Sequence, residues 1–558
     1  MFHCLADFEA LAEAVCQLQK ESSTTPASLK GLEVELANPQ AIVMDHALFS
    51  LADLNSSAMF DSPRGRLRKC NFGKTMLVQH FSMNQTVQFN SASYGQTPTI
   101  VNNARAQWEA LSHANPSRWQ AARLYSQLQR VRARVADFFV ADHDGLVLTQ
   151  NANTATSIVL KNIKWEPGDS ILLFSVDYHA TELCTEELHE TLGLETFKVV
   201  LELPMSDAEI LKEVREALRR RQKEGLRLPK LANFCHVTSR TAYIFPAAEL
   251  TTLFHEYGIL VSIDGAQAAG HLDLNLRAIG ADFYIGTMHK WMYTCQGVGF
   301  LYVAAAHRAT IKPLSAPVFA EADGKLIDEL LFTGAFDFSP FLSIMQAFDF
   351  VVHVCGGWPN VREYIDKLAE EVVAILRYRW GTEVVQRTNS GSHYGHMPII
   401  PLPQGIGSHI TNLDASKVMA YLMKKNMTVF VMVEPFNFEG RMQNHLCVRL
   451  AVNIFHNLEQ FEALAEAVNS LDGQYTGTRP PAMPVPSPYI HGAKRARIWS
   501  CVAMCRAEDG SGGSRFWRRG VKPEHEGARV DPKGVKMVGK RDVVTVTQPL
   551  PGCCGWAE

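Results

Sequence analysis

Long apolar runs are missing from this chain of 558 residues, since none approaches the ~20 residues that a helix needs to cross a bilayer. An excess of one charge is also missing, because 54 Lys and Arg against 57 Asp and Glu leave a net charge of −3. A chain so balanced is not expected to bind nucleic acids or a membrane surface. Residues 1–13 contain three acidic side chains and neither Arg nor Lys, unlike a secretory signal or a mitochondrial presequence. We therefore expect a cytoplasmic protein.

Cysteine clusters with the spacing of metal ligands are absent as well. The twelve cysteines are scattered, and the two pairs near the end of the chain, Cys501/Cys505 and Cys553/Cys554, lack suitably spaced partner pairs for zinc. We expect no metal site and reduced thiols, several of them in the core.

The composition is that of a globular protein, with 47% apolar and 20% charged residues, and the length suggests several domains. Apolar runs alternate with stretches of helical periodicity, which predicts an α/β fold with a mainly parallel, doubly wound sheet. The predicted strands are Leu146–Thr149, Ile171–Phe174, Leu231–Val237, Ile259–Ile263, Asp282–Ile285 and Val298–Val303, and the predicted helices include Leu124–Phe138, Asp207–Arg221, Val361–Arg379 and Phe461–Leu471.

We divide the chain into four parts: an N-terminal extension (1–70), a large α/β domain with an N-terminal segment (71–354), a smaller C-terminal α/β domain (355–472) and a basic tail (473–558). The tail is rich in Pro, Gly, Arg and Lys and is predicted to be disordered. Phe2–Val15 repeats Phe455–Val468 at eleven of fourteen positions, without the regular short period of a solenoid. We interpret residues 1–70 as the remnant of a tandem copy's C-terminus.

Two polar residues follow predicted strands of the sheet. The Lys290 amine could form a Schiff base with an aldehyde, and the Asp264 carboxylate could keep a pyridine nitrogen protonated. Taken singly, Lys290 could be a solvated surface lysine, and Asp264 could be part of an Asp-Gly turn. Because open α/β sheets bind ligands at the carboxyl ends of their strands, the two together indicate a catalytic site for pyridoxal phosphate.

Four motifs around these residues also carry a family resemblance. They are Asp264–Ala268, Gly280–Tyr284, His289–Trp291 and Gly297–Tyr302. These motifs resemble class V aminotransferase-type enzymes, most closely the isopenicillin N epimerase-like branch, which also contains C–S lyases acting on cysteine conjugates. The resemblance runs from about Phe72 to about Leu471. It implies a fold type I transferase that works as a homodimer, with pyridoxal 5'-phosphate as its cofactor.

The run Asn151–Ser157 offers hydroxyls and backbone N–H groups at a helix start, as a phosphate requires. Asn and Thr are also ordinary helix caps, and the sequence alone leaves both explanations open. The resemblance assigns phosphate contact to Asn153 and Thr154. It further implies cofactor contacts for Thr287 and His289 at the phosphate, for Tyr178 on the pyridine ring, and for Gln267 and Ser239 near its phenolic oxygen.

A substrate α-carboxylate calls for a planar bidentate donor, which Arg449 provides within the apolar run Cys447–Asn453. The alternative is a surface arginine on an edge strand. The resemblance supports the substrate role and adds Asn90, Ser93 and Tyr94 as an active-site loop.

One family motif is damaged. The family often carries Gly-Thr-Arg-Asp, which reaches the phosphate of the partner subunit, whereas this chain has Ala335 in Thr333–Asp337 and lacks the hydroxyl. The resemblance still implies a dimer. Whether Thr333 substitutes in the contact between subunits stays open.

The expected reaction begins with removal of the Cα proton of an amino acid by the Lys290 amine. Epimerisation, loss of a Cβ substituent and transamination all remain open after that step. Desulfuration is disfavoured, because it needs a thiolate on a mobile loop. In the related desulfurases, which this chain resembles, that cysteine lies shortly before the arginine matched by Arg449, and here Phe436–Asn444 contains no cysteine. A non-catalytic scaffold would need neither Lys290 nor Asp264. We therefore predict an epimerase-like or C–S lyase-like enzyme.

Overall fold

The computed structural model describes residues 71–471, apart from residues 84, 317–325, 384, 386, 389–390, 393, 404–405, 407–411 and 439–440. The predictions for residues 1–70 and 473–558 lie outside the described residues. The described strands are, in chain order, β1 (Val87–Gln88), β2 (Leu146–Thr149), β3 (Ser170–Phe174), β4 (Glu195–Val199), β5 (Leu231–Cys235), β6 (Leu260–Gly265), β7 (Phe283–Thr287), β8 (Gly299–Val303), β9 (Arg387–Thr388), β10 (Gly391–Ser392), β11 (Ile399–Pro401), β12 (Met427–Thr428), β13 (Phe430–Phe438) and β14 (Arg441–Arg449).

A seven-stranded sheet with the order β2-β8-β7-β6-β5-β3-β4 forms the centre of the described chain. Neighbours from β7 through to β4 pair in parallel, and β8 runs antiparallel between β2 and β7. Every residue of β2, β3, β5 and β7 is buried, as expected for a parallel sheet that is covered on both faces. The predicted α/β fold with a mainly parallel sheet is confirmed.

All six predicted strands are present within two residues at each end. The edge strand β4 was not predicted, because only its last residue, Val199, is buried and the apolar signal is therefore weak.

The described helices connect and cover these strands. They are α1 (Lys74–His80), α2 (Ser91–Tyr94), α3 (Thr99–Ala114), α4 (Pro116–Trp119), α5 (Tyr125–Phe138), α6 (Ala152–Asn162), α7 (His179–Leu192), α8 (Asp207–Lys223), α9 (Ala247–Glu256), α10 (Leu276–Ile279), α11 (Met288–Trp291), α12 (Leu326–Leu331), α13 (Ser339–Leu342), α14 (Ile344–Asp349), α15 (Trp358–Trp380), α16 (Asn412–Lys424) and α17 (Leu458–Asn469). π-Helical turns precede α5 (Gln120–Leu124) and follow α14 (Phe350–Val354). Ser206 shows how the sequence sets such boundaries, since it forms a capping box with Glu209 at the start of α8.

The C-terminal part contains a three-stranded antiparallel sheet with the order β11-β14-β13. β1, from the beginning of the described chain, pairs in parallel with β12, so the N-terminal segment is tied to this later part. All described residues fall in one compact unit. The domain boundary between residues 354 and 355 therefore stays a prediction.

No single helix of the described residues has the length and apolarity to cross a membrane. One bent pair, Ser339–Val354 with Trp358–Trp380 at 72°, passes that test by length and composition alone.

Candidate active site

Adjacent strands bring the two predicted catalytic residues together at the carboxyl edge of the central sheet. In register, Asp264 on β6 lies between Cys235 on β5 and Ile285 on β7. β7 ends two residues later, and the chain turns directly into α11, which carries Lys290. The two side chains are close enough for the charge of each to shift the pKa of the other.

The carboxylate of Asp264 is buried, with 5% of the residue exposed. Its Oδ1 accepts a hydrogen bond from the backbone N–H of Ala266 at 2.9 Å. Burial raises the pKa of Asp264, while the Ala266 N–H and the positive charge of Lys290 lower it. An ionised carboxylate accepts up to four hydrogen bonds, so Asp264 has the capacity to accept one from a protonated ring nitrogen.

Burial also acts on the amine of Lys290 and lowers its pKa to about 8. The Asp264 carboxylate raises this pKa, and the nearby charge of Arg449 lowers it. An amine with a pKa near neutrality can exchange a proton and can attack an aldehyde at physiological pH. Lys290 therefore has the environment that a catalytic lysine needs.

Arg449 lies at the end of β14 and is 3% exposed. Its Nη2 donates to Asn90 Oδ1 and to Ser93 Oγ, both at 2.9 Å. Its Nη1 donates to the backbone oxygen of Ser239, and the guanidinium stacks on Phe430 with 4.6 Å to the ring centroid. These hydrogen-bond acceptors are neutral oxygens, which suits a guanidinium that must still bind a substrate carboxylate.

The structure thus brings Arg449, Asn90, Ser93 and Ser239 into one cluster. Ser93 Oγ also donates to Asn90 Oδ1 at 2.8 Å, which fixes the loop residues with respect to each other. Tyr94, by contrast, is 69% exposed. Its predicted contact with substrate stays a prediction.

Gly95 follows α2 with a φ of 75°. A Cβ atom at this position would lie 1.6 Å from the carbonyl oxygen of His289. The backbone after α2 therefore packs directly on α11, beside Lys290, and only glycine satisfies both the conformation and the space.

Gln267 is buried, but its amide is engaged by the protein. Its Nε2 donates to the backbone oxygen of Ala92, and its Oε1 accepts from the indole Nε1 of Trp291, both at 2.9 Å. The predicted contact of Gln267 with the cofactor oxygen stays a prediction, and its observed bonds give it a second role in holding α2 and α11 together.

The helix start after β2 is capped as an ordinary helix, because Asn151 Oδ1 accepts the backbone N–H of Thr154 at 2.8 Å. Thr154 lines a cavity of about 360 Å³ together with Thr149 and Thr333, whereas Asn153 is exposed. Ala335 lines a different cavity, of about 300 Å³, with Trp108 and Trp119. The Thr333 hydroxyl therefore lies near the start of α6. Whether it contacts the phosphate of the partner subunit stays open.

The remaining predicted cofactor residues lie at the same edge of the sheet. Thr287 ends β7 and is buried. His289 Nδ1 lies 3.3 Å from the backbone oxygen of Val298, and burial is the main cause that lowers its pKa to about 4, so the imidazole is neutral. Tyr178 precedes α7, directly after the loop that leaves β3.

Asp177 is a residue of this edge that the sequence analysis did not single out. Its two carboxylate oxygens accept the backbone N–H of Phe174 at 2.7 Å and of Cys235 at 2.8 Å, joining the ends of β3 and β5. Burial raises its pKa to about 7, and the nearby Asp264 contributes to that rise. Its position next to Tyr178 is the signal that could have revealed it.

These residues fit pyridoxal phosphate, because a lysine with a lowered pKa, a buried carboxylate and a buried arginine meet in one place. When bound, this cofactor supplies an electron-accepting ring that stabilises negative charge at Cα of an amino acid. Among the residues that the structure covers, no group of three His, Cys, Asp or Glu side chains is arranged to hold a metal ion.

The family model for class V aminotransferases matches residues 87–393, more than half of the chain. The protein belongs to the class V aminotransferase family, and it is a pyridoxal-phosphate-dependent enzyme. This confirms the family, the cofactor and the enzyme class predicted from the sequence.

The chain is similar to curated C–S lyases and epimerases. A putative L-cysteine desulfhydrase of Oryza sativa is 29% identical over 406 residues, which cover 68% of this chain and 82% of that protein. The isopenicillin N epimerase of Streptomyces clavuligerus is 27% identical over 407 residues, covering 70% and 95%. The fold matches the solved cystine C–S lyase C-DES with a TM-score of 0.57 at 18% identity, covering 69% of this chain and 98% of that one.

Proposed function

We propose that this enzyme is a C–S lyase that cleaves L-cysteine, or a conjugate of L-cysteine, by β-elimination. The observation that carries the proposal is that β6 and β7 bring Asp264 and Lys290 to one edge of the sheet, where the charges of Asp264 and Arg449 both act on the Lys290 amine. A substrate held by its α-carboxylate at Arg449 presents Cα to that amine. The similarity to a putative L-cysteine desulfhydrase supports cysteine as the substrate.

Each residue of the site has one task in this reaction. The guanidinium of Arg449 binds the α-carboxylate, in a place set by Asn90 and Ser93. The neutral amine of Lys290 removes the proton from Cα and holds it as an ammonium. Asp264 would hold the ring nitrogen of bound pyridoxal phosphate, and its carboxylate would favour the protonated, electron-accepting form of the ring.

Loss of the sulfur substituent then completes the elimination. The bonds broken are Cα–H and Cβ–S, and the electron pair leaves with sulfur, which takes up a proton. The released 2-aminoacrylate reacts with water to give pyruvate and ammonia. For L-cysteine the balance is one cysteine and one water to one pyruvate, one ammonia and one hydrogen sulfide.

The described thiols support elimination over sulfur transfer to the protein. Cys447 shares the strand of Arg449 but is fully buried, and burial raises its pKa well above that of an ordinary thiol. Cys235, beside Asp264, is buried and has a raised pKa for the same reason. A desulfurase needs a reactive thiolate that can reach the substrate sulfur.

The test uses the cofactor-loaded protein with L-cysteine and quantifies every product. Sulfide, pyruvate and ammonia in equal amounts support the proposal. Alanine together with a protein persulfide indicates a desulfurase, D-cysteine an epimerase, and 3-mercaptopyruvate an aminotransferase, and each of these as the main product would refute it. Lys290→Ala is the control for cysteine breakdown without the enzyme.

We also propose a homodimer in the cytoplasm. The family resemblance supports the dimer. The described cysteines Cys184, Cys235, Cys295, Cys355 and Cys447 are free thiols, as is usual in a reducing compartment. Light scattering on the purified protein and microscopy of a tagged chain test the two statements.

A further inference from the structure

The last described helix fills an apolar socket. Phe461, Leu464 and Val468 on α17 are buried, and the ring of Phe461 lies 4.9 Å from that of Phe89. α17 packs along α15. We call the surface formed by Phe89 and α15 the α17 socket.

The two residues before α17 that are buried, Phe455 and His456, also pack against aromatic rings. Phe455 packs on Phe81 with 5.0 Å between ring centroids, and His456 stacks on Phe89 at 5.4 Å. His456 Nδ1 accepts the backbone N–H of Asn453 at 3.1 Å, so its Nε2 donates to the backbone oxygen of Gln88 at 3.0 Å. The segment 455–471 is therefore recognised by ring packing and by a buried imidazole.

Residues 2–18 repeat the part of this segment that fills the socket. Each residue buried in 455–471 has an identical counterpart in residues 2–18, namely Phe2, His3, Phe8, Leu11, Ala12, Val15 and Leu18. The five positions that differ correspond to residues 457, 459, 460, 469 and 470, which are half-buried or exposed. The repeat thus preserves every buried side chain of this segment and varies only half-buried or exposed ones.

The described chain begins beside the socket. The backbone N–H of Gly73 donates to the oxygen of Ile454 at 2.7 Å. Phe72 packs on Tyr364, with 4.6 Å between centroids, and the Tyr364 hydroxyl donates to the oxygen of His456 at 2.6 Å. Residues 19–70 can span up to ~170 Å, whereas a helix as long as α17 measures ~18 Å. The tether therefore permits residues 2–18 to reach the socket at a high effective concentration.

We infer that the α17 socket accepts residues 2–18 of the same chain as an alternative to residues 455–471. α17 is the preferred occupant, because Asn457 and Gln460 form a capping box at its start, whereas the repeat has Cys4 and Asp7 at these positions. The repeat occupies the socket when α17 is weakened or released. The chain then contains two segments, residues 2–18 and residues 455–471, that can bind the same socket.

The test compares melting temperatures of four full-length proteins: the unchanged chain, Phe461→Ala/Leu464→Ala, Phe8→Ala/Leu11→Ala, and all four substitutions together. We expect less than ~1 °C of change from the repeat variant alone and a small decrease from the α17 variant. The fourfold variant should melt ~5–10 °C lower, because neither segment then fills the socket. In the α17-weakened chain, Glu13→Ala is the matched control for the repeat substitutions, since its counterpart Glu466 is exposed.

An additive result would overturn the inference, as would an α17 variant that fails to fold although the repeat is intact. A second measurement places a photoreactive benzoylphenylalanine at position 8 of the full chain. In the α17-weakened protein, irradiation should join position 8 to the region of Phe89, which contacts Phe461 in the unchanged structure. Absence of that adduct in folded protein would refute the exchange.

Discussion

Gln267 and Trp291 are joined by a hydrogen bond of 2.9 Å, in which the indole Nε1 donates to the amide oxygen. The nitrogen of the same amide donates to the backbone oxygen of Ala92, also at 2.9 Å. One side chain thus sets the separation between α11, which carries Lys290, and α2, which carries Ser93. The position of the Lys290 amine relative to the proposed binding site for the substrate carboxylate therefore depends on Gln267.

Replacing Gln267 by Ala should lower kcat about tenfold and the melting temperature by a few degrees. The reason is that two buried partners lose their hydrogen bonds, at about 1–3 kcal/mol each. Steady-state kinetics and thermal unfolding measure both effects. Gln296→Ala is the matched control. The Gln296 side chain donates a long, solvent-exposed hydrogen bond of 3.4 Å to the backbone oxygen of Tyr94. Equal effects of the two substitutions would contradict the assigned role.

Lys290→Ala should abolish turnover, with a loss of at least ~1,000-fold, because the proposed reaction uses the amine both to attach the cofactor and as the base. The visible absorbance of the bound cofactor should also disappear. Borohydride reduction followed by peptide mapping should place the cofactor on Lys290 in the unchanged protein. Lys312→Ala is the control, since Lys312 forms a partly exposed ion pair with Glu329. Cofactor found on another lysine would refute the assignment.

Asp264→Asn should keep the fold and the cofactor but slow exchange of the substrate Cα proton about 100-fold or more. A neutral amide cannot hold the ring nitrogen protonated by charge. Proton exchange in D₂O, followed by NMR, separates this step from product release. Asp169→Asn, at the ion pair with Lys230, is a control outside the site. An unchanged exchange rate in Asp264→Asn would show that another group keeps the ring nitrogen protonated.

Arg449→Lys should raise KM for the amino acid about 10–100-fold, because an ammonium lacks the planar fork that binds a carboxylate through two hydrogen bonds. Arg240→Lys is the matched control. Arg240 follows Ser239 in the chain but pairs with Glu434 and donates to the oxygen of Val433 at 2.6 Å. If both variants keep the KM of the unchanged enzyme, the carboxylate binds somewhere else.

The rate at which the cofactor-free protein captures pyridoxal phosphate should depend on the protonation of Lys290. Burial lowers the pKa of Lys290 to about 8, and only the neutral amine attacks an aldehyde. The rate should therefore rise about tenfold per pH unit below pH 8 and level off above it. Stopped-flow absorbance between pH 6 and about 11.5 measures the midpoint. A midpoint at the usual lysine value of 10.5 would show that the amine is not desolvated.

The sheet could be predicted from the sequence because its strands are short apolar runs that are buried on both faces. The same reasoning placed Asp264 and Lys290 at one edge, since parallel strands end on the same side. β4 was not predicted, because an edge strand that is largely exposed has no comparable run of apolar residues. The capping of α6 by Asn151 shows a further limit, because capping and phosphate binding use the same residue types.

The contacts of Gln267 and Asp177 could not be predicted for a different reason. Gln267 bonds to Ala92, 175 residues away, and Asp177 bonds to Cys235, 58 residues away. Such pairs form only when the sheet brings distant loops together, and a single sequence contains no periodicity that reports them. Arg449 could be assigned only because its motif resembled that of the family.

The contact between Gly95 and His289 bears on how the enzyme could acquire new substrates. The oxygen of His289 already fills the space that a side chain at Gly95 would need. No side chain fits at Gly95 without moving this backbone, whereas the Tyr94 side chain next to it is 69% exposed and has space around it. A laboratory library that aims to change substrate preference should diversify Tyr94 and leave Gly95 untouched, because variants at Gly95 would be lost to misplacement of the catalytic lysine before any selectivity could be measured.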